Sequence, residues 1–355
     1  MKPLAYHLLR QLANGDFHSG ESLALATGMS RASVWNAVQE IQTAGIDVFS
    51  VRGRGYRLSR PLVMLDAASV TQALGESAPF SVEVVDEIDS TNTRLLQQVR
   101  AGPPNAAAPN LGASHASVIA AECQTAGRGR MNRAWHAPVG GALTFSLLWR
   151  FSQGAAALAG LSLAVGLALA RALETMGTTG TAGAAGVGLK WPNDVLWRGR
   201  KLAGILIEMQ GDALGPSAVV IGIGINVRLP AALAARIGQP AADLETVLGI
   251  DGARALDRNQ LLASVLAELN VTLLEFERTG FDAFRSDWQR RHVHQDCPVK
   301  LTLSGGASVS GLARGVREDG ALLLETAQGI KPFHSGDVSL RSAGRAPVHG
   351  AGQAA

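Results

Sequence analysis

The segment Gln124-Thr125-Ala126-Gly127-Arg128-Gly129-Arg130-Met131-Asn132-Arg133 interleaves glycines with three guanidiniums. Glycine lets a backbone approach a ligand closely, and an arginine fork grips a phosphate or carboxylate with two bonds. This composition fits an anion site as well as it fits a solvated or RNA-binding basic loop, and the third glycine of a dinucleotide fingerprint is missing. Lys190-Trp191-Pro192-Asn193-Asp194 sets a cation, an indole platform and a rigid proline beside an amide-carboxylate pair. Asparagine reads adenine through two bonds, and aspartate accepts from a ligand N–H or holds Mg²⁺. An ordinary surface turn has the same residues.

Three more segments carry weaker signals. Arg200-Lys201-Leu202-Ala203-Gly204-Ile205-Leu206 puts a lysine at the mouth of a strand whose small residues, Ala203 and Gly204, leave room for a ligand. Gly222-Ile223-Gly224-Ile225-Asn226 ends a buried strand with glycines, which more often mark packing or a bulge. In Asp89-Ser90-Thr91-Asn92 one hydroxyl caps the following helix, and the others can hold a small polar group such as a urea. No Ser-His-Asp arrangement, metal-ligand cluster or pair of catalytic carboxylates stands out, so no metal site is expected. The implied chemistry is stabilisation of a phosphate by arginine and lysine, not nucleophilic attack by the protein.

Taken in order, these five segments resemble the biotin-protein ligase family. The resemblance implies that Ser90, Thr91, Asn92 and Gln124 hold the ring system of biotin, and that Arg128, Gly129 and Arg130 belong to a loop that orders over biotin and its adenylate. It places Lys201 near the biotin carboxylate and the α-phosphate, with Arg130 and Lys201 as the catalytic pair. Gly127, Lys190, Trp191, Asn193, Asp194, Gly204 and Asn226 would surround the adenylate, Asn193 and Asn226 as adenine readers. The implied reaction uses biotin, ATP and Mg²⁺. It forms biotinyl-5'-AMP and passes biotin to a lysine of the biotin carboxyl carrier protein of acetyl-CoA carboxylase. A biotin sensor without ligase activity should lose the arginine loop or Lys201, and a lipoate or octanoate transferase should lack the 190–194 segment; neither loss occurs here. Two departures from the pattern are Asn132, where many members have glycine, and residues 228–248, an Ala- and Leu-rich stretch that matches poorly.

These residues need elements to position them. Leu4, Leu8, Leu9 and Leu12 share a helical face; Ser19 or Ser22 starts a second helix that Gly28 ends, and Ser30 caps a third, Arg31–Thr43, with Val34, Val38 and Ile41 inward. A hairpin follows around Arg52-Gly53-Arg54-Gly55. Together these spell a winged helix-turn-helix over residues 1–62, with Arg31, Ser33, Asn36, Arg52 and Arg54 suited to DNA. Within the family this implies a repressor of biotin synthesis genes that binds operator DNA as an adenylate-loaded homodimer.

Strand-like runs at 117–121, 143–149, 188–190, 202–208 and 219–225 alternate with helical ones, giving a mixed α/β ligase domain over 65–293, class II synthetase-like by resemblance. Short alternating runs after Cys297 predict an SH3-like β-barrel over 296–342, and 343–355 a disordered tail. The expected class is thus α+β and multidomain. Loops are expected at 101–115 and 177–186.

The net charge of +3 means that attraction to nucleic acid must come from local clusters. Two distant cysteines and an N-terminus without an apolar signal core fit the cytoplasm. The uncharged stretch 154–170 is too poor in leucine to compete as a membrane span and is expected as a buried helix.

Overall fold

Serine side chains set the first boundaries. Ser19 Oγ accepts from Ser22 N at 2.9 Å and Ser30 Oγ from Ser33 N at 3.1 Å, starting α2 (Gly20–Thr27) and α3 (Arg31–Thr43) after α1 (Pro3–Leu12). Gly28, at φ 67°, makes the left-handed turn between α2 and α3. β1 (Val48–Val51) and β2 (Gly55–Leu58) form the antiparallel hairpin. Leu8, Leu9, Leu12, Leu23, Val34, Val38 and Ile41 close a core of their own, which Val139 of the central domain joins. The computed structural model describes residues 1–75, 78–102, 116–177, 186–211, 215–303, 306–335 and 339–342; most of the expected loops at 101–115 and 177–186, and all of the expected tail, lie outside them.

The central domain runs through α4 (Ala67–Leu74), β3 (Phe80–Ile88), α5 (Thr91–Ala101), β4 (Ala116–Gln124), β5 (Ala142–Phe151), α6 (Leu161–Gly177), β6 (Val187–Lys190), β7 (Asp194–Trp197), β8 (Arg200–Gly211) and β9 (Ser217–Asn226). Its seven-stranded sheet has the order β3-β4-β5-β9-β8-β7-β6, parallel between β3 and β4 and antiparallel elsewhere. Short α7 (Ala231–Ala234) and α8 (Leu244–Leu248) precede α9 (Arg258–Thr279) and α10 (Asp282–Arg290). α9 packs on α4 and α6. The expected helix at 154–170 starts later, at Leu161, because Gly160 takes φ 83°, and it runs on to Gly177. Its leucines are buried, and among the described residues no helix is long and apolar enough to cross a membrane.

Five antiparallel strands, β10 (Pro298–Thr302), β11 (Ser308–Val316), β12 (Leu322–Thr326), β13 (Gly329–Phe333) and β14 (Ser339–Ser342), follow in the order β13-β12-β11-β10-β14. Val299, Leu301, Ala313 and Leu322 join the same core as the central helices, so the C-terminal sheet is packed onto that domain. The winged unit keeps a separate core, touched by Val139, and polar ties add to that contact. Arg10 pairs with Asp86 at 2.5 Å and Arg60 with Glu245 at 2.6 Å. The linker is clamped from below by fully buried Arg258, which donates to Val63 O and pairs with Glu122, whose Oε1 also accepts from Leu65 N.

Candidate active site

β3 and β4 run parallel and end side by side at Ile88 and Gln124, which puts Asp89–Asn92 next to Gln124. Thr91 N donates to Gln124 Oε1 at 2.9 Å, and Ser90 Oγ accepts from Thr93 N at the start of α5. The helix cap and the ligand-facing polar cluster are therefore one feature. Asn92 reaches across the sheet: its Oδ1 accepts from Ser146 Oγ at 2.5 Å and its Nδ2 donates to Glu208 at 2.8 Å.

Strand register explains the glycines. Ser146, Gly222 and Leu206 form one row across β5, β9 and β8, and Thr144, Gly224 and Gly204 form the next. A Cβ at Gly222 would sit 2.1 Å from Asn92 Oδ1, and one at Gly224 2.3 Å from the Trp135 ring. The floor must be bare for the side chains above it to settle. Ala203 points the other way, into the core, so only Gly204 of the two small residues faces the site.

Above this floor lies a cavity of about 960 Å³. Ser90, Thr91, Asn92, Gln124, Arg128, Gly129, Arg130, Lys190, Trp191, Asn193, Asp194, Lys201, Gly204 and Asn226 all line it. Gly127 does not. It sits behind the wall, where its carbonyl accepts from Trp135 N and a Cβ would meet Trp135 O at 2.8 Å. The indole of Trp191 is no open platform either: it is fully buried, and Nε1 donates to Gly320 O of the C-terminal sheet at 3.1 Å.

The arginine loop is folded back on itself. Arg128 bridges to Ala134, and Gly129 N donates to Arg133 O at 2.7 Å. Arg128 pairs with Glu208 at 3.1 Å and donates to Thr93 Oγ1, while Arg130 donates to Asn193 Oδ1 at 3.3 Å and to Ser335 O. Met131 and Asn132 turn at φ 54° and 57°. Asparagine tolerates this left-handed region better than most side chains, which gives Asn132 a physical reason to stand at this turn.

Lys201 Nζ is bonded to Asp194 and lies 5.7 Å from the Trp135 ring centroid; Lys190 Nζ is 3.9 Å from Asp194. Burial lowers the pKa of Lys190, partly offset by Asp194. Asn226 donates to Lys201 O at 3.2 Å and Ala242 O at 3.1 Å, holding the end of β9 to the residues before α8. That segment, unplaced by the sequence, supplies cavity wall from Arg236 to Ala241. His294, Pro298 and Arg341 close the opposite side. The residues that sequence reasoning missed are Trp135, Ser146, Glu208, Arg236, His294 and Arg341. For Glu208 there was a signal, since it follows Gly204 and Leu206 at the two-residue spacing of one strand face.

The DNA candidates are on the far unit. Arg31, Asn36, Arg52 and Arg54 are exposed, and Ser33 is half-buried with its hydroxyl 2.9 Å from Ser30 Oγ in the helix cap.

Residues 85–226 match the biotin/lipoate A/B protein ligase family, 5–57 an HTH domain, and 297–341 the biotin protein ligase C-terminal domain. The chain is 40% identical to the bifunctional ligase/repressor BirA of Escherichia coli over 95% of its own length and 97% of that protein. It is 33% identical to the biotin--[acetyl-CoA-carboxylase] ligase of Mycobacterium tuberculosis, over 72% of this chain and 88% of that one. A biotin protein ligase from Aquifex aeolicus, solved in complex with biotin and ATP, superposes at a TM-score of 0.58 with 29% identity, covering 74% of this chain and 99% of that one. With its winged helix, its glycine-floored cavity and its C-terminal sheet, the chain belongs to the biotin protein ligase family, among the members that carry an HTH domain.

Proposed function

We propose that the chain is an ATP-dependent biotin-protein ligase and a biotin-responsive repressor. Residues 65–293 carry catalysis, 296–342 close the site, and 1–62 bind DNA. The observation that carries the ligase reading is the division of one cavity wall into two ends. Ser90, Thr91, Asn92 and Gln124 form a polar end at which Arg128 is neutralised by Glu208, and Arg130, Lys190 and Lys201 form a cationic one. A ureido ring needs donors and acceptors without charge, whereas a carboxylate and a triphosphate repel each other until cations lie between them.

Biotin binds with its ring at the first end and its carboxylate toward Lys201. Lys201 and Arg130 stabilise the charge that builds on the α-phosphate as the carboxylate attacks it, diphosphate leaves, and biotinyl-5'-AMP stays in the cavity. Asp194 is the only carboxylate among the described wall residues and is bonded to Lys201, so the site suits a magnesium ion delivered with the triphosphate, which would neutralise phosphate charge. Asn193 and Asn226 flank the adenine, their amides already oriented by Ile205 O and Ala242 O. The folded arginine loop keeps water off the anhydride until the ε-amine of the carrier lysine attacks the acyl carbon and releases AMP.

The carrier is the biotin carboxyl carrier protein of acetyl-CoA carboxylase, and the compartment is the cytoplasm. Arg31, Ser33, Asn36, Arg52 and Arg54 contact operator DNA in an adenylate-loaded homodimer. The test is transfer of labelled biotin to a purified carrier domain with Mg-ATP. Arg130→Ala and Lys201→Ala should each lower the rate about 10²- to 10³-fold. A wild-type protein that binds biotin but transfers none is a sensor, and the ligase reading then fails.

A further inference from the structure

Phe17 lies between α1 and α2, in a segment stitched to the wing as a short third strand. His18 N donates to Tyr56 O at 2.9 Å and Tyr56 N donates to His18 O at 2.8 Å. Gly55, at φ 99°, permits this approach, because a Cβ there would fall 2.0 Å from His18 O. The consequence is that an aromatic ring from outside the hairpin is brought to the wing. The Arg54 guanidinium carbon stands 4.1 Å from its centroid, and that of Arg57 4.9 Å. Arg57 also lies 5.4 Å from the ring of Phe49, its cross-strand partner. Phe49 is 47% exposed, and the Nε of Arg57 is buried without a bonding partner. Among the described residues neither arginine pairs with an acid, although this chain pairs many others.

We propose that Arg57 is a third phosphate-binding cation of the wing, beside Arg52 and Arg54, and that Phe17 is the positioning residue that holds Arg54 and Arg57 for DNA. This rests on the DNA-binding reading of the winged helix. Cation–π contact orients a guanidinium without consuming the charge, so its outer N–H groups stay available for phosphate. Long side chains that are already ordered lose less freedom on binding, which raises affinity without adding a contact.

Anisotropy of a fluorescein-labelled duplex of mixed sequence, titrated with the full chain at rising KCl, separates the two roles. Arg57→Ala should weaken binding about three- to tenfold and reduce the slope of log K against log salt by about 0.9, the contribution of one phosphate contact. Phe17→Leu keeps bulk but loses the π face; binding should weaken about threefold with the slope unchanged, and Phe17→Trp should restore it. Biotin transfer should be normal in all three. Wild-type affinity in Phe17→Leu, or an unchanged slope in Arg57→Ala, overturns the proposal; if Arg31→Ala still weakens binding in that case, the DNA-binding reading survives alone. A wild-type chain that ignores the duplex at low salt overturns both.

Discussion

On the cavity wall Lys201 is bonded to Asp194, Arg128 to Glu208 and Thr93, and Arg130 to Asn193, whereas on the wing the guanidiniums of Arg54 and Arg57 lie over the rings of Phe17 and Phe49. Both regions are cationic, but the protein holds the charges with its own polar groups in one and with aromatic faces in the other. A ligand entering the cavity must exchange partners with those groups, so geometry and partner identity decide its affinity. DNA approaching the wing displaces counterions instead, so ionic strength decides. The contrast predicts a cavity sensitive to neutral, isosteric changes and to added charge, and a wing sensitive mainly to salt.

Acid should expose the largest difference. His292 and His294 are buried between the central domain and the C-terminal sheet, His292 against Trp288 at 4.7 Å between centroids, and His294 on the cavity wall beside Lys190. Burial pushes both well down from the ordinary 6.5, to about 4, with His294 adding to the effect at His292 and Lys190 to that at His294. A folded pKa below the unfolded one means that the unfolded chain takes up the proton first. The stability contribution is therefore complete above pH 6.5 and is lost as the pH falls toward 4, by about 3 kcal/mol for His292 at the lower end. Denaturant titrations across that range should show this loss, and His292→Phe, which keeps a ring against Trp288, should flatten it. An unchanged slope in that variant would mean that the histidine is not the titrating group.

The next effect sharpens the cavity half of the comparison. Glu208 holds Asn92 at 2.8 Å and Arg128 at 3.1 Å, so Glu208→Gln keeps the shape but weakens a charge-assisted grip on both. Biotin affinity should fall about tenfold, equivalent to about 1.4 kcal/mol, with duplex binding by the ligand-free chain unchanged. Calorimetry with biotin alone reads the first quantity. An unchanged affinity would show that the loop and Asn92 are set by the glycine floor rather than by Glu208.

The same contrast marks what could be read from the chain. The winged unit was legible nearly residue by residue, because serine caps, Gly28 and a 3.6-residue apolar period act within a few positions. The chemistry of the cavity was legible as segments, since five short motifs bring most of its polar groups. What unites them was not. Ser146 meets Asn92 through the β5–β9 register, Trp135 reaches Gly224 through a folded loop, and Arg341 arrives with the last strand. Such pairings span tens to hundreds of residues and leave no local period. β7 was hidden for a related reason: four residues beside a proline-containing turn look like loop until β8 pairs with them.

The smallest expected change tests the wing half. Arg52 is exposed at the hairpin tip and, among the described residues, makes neither an ion pair nor a ring contact. As a solvated cation that DNA alone would order, it should contribute counterion release and little else. Arg52→Ala should cost about threefold in duplex affinity at low salt, lower the salt slope by about 0.9, and converge on the wild type as KCl rises. Arg57→Ala, held by two rings, should keep a deficit at high salt because an ordered contact is lost together with the charge. If the two variants trace the same curve, aromatic support adds nothing to the wing, and the distinction between charges held by rings and charges left in water disappears.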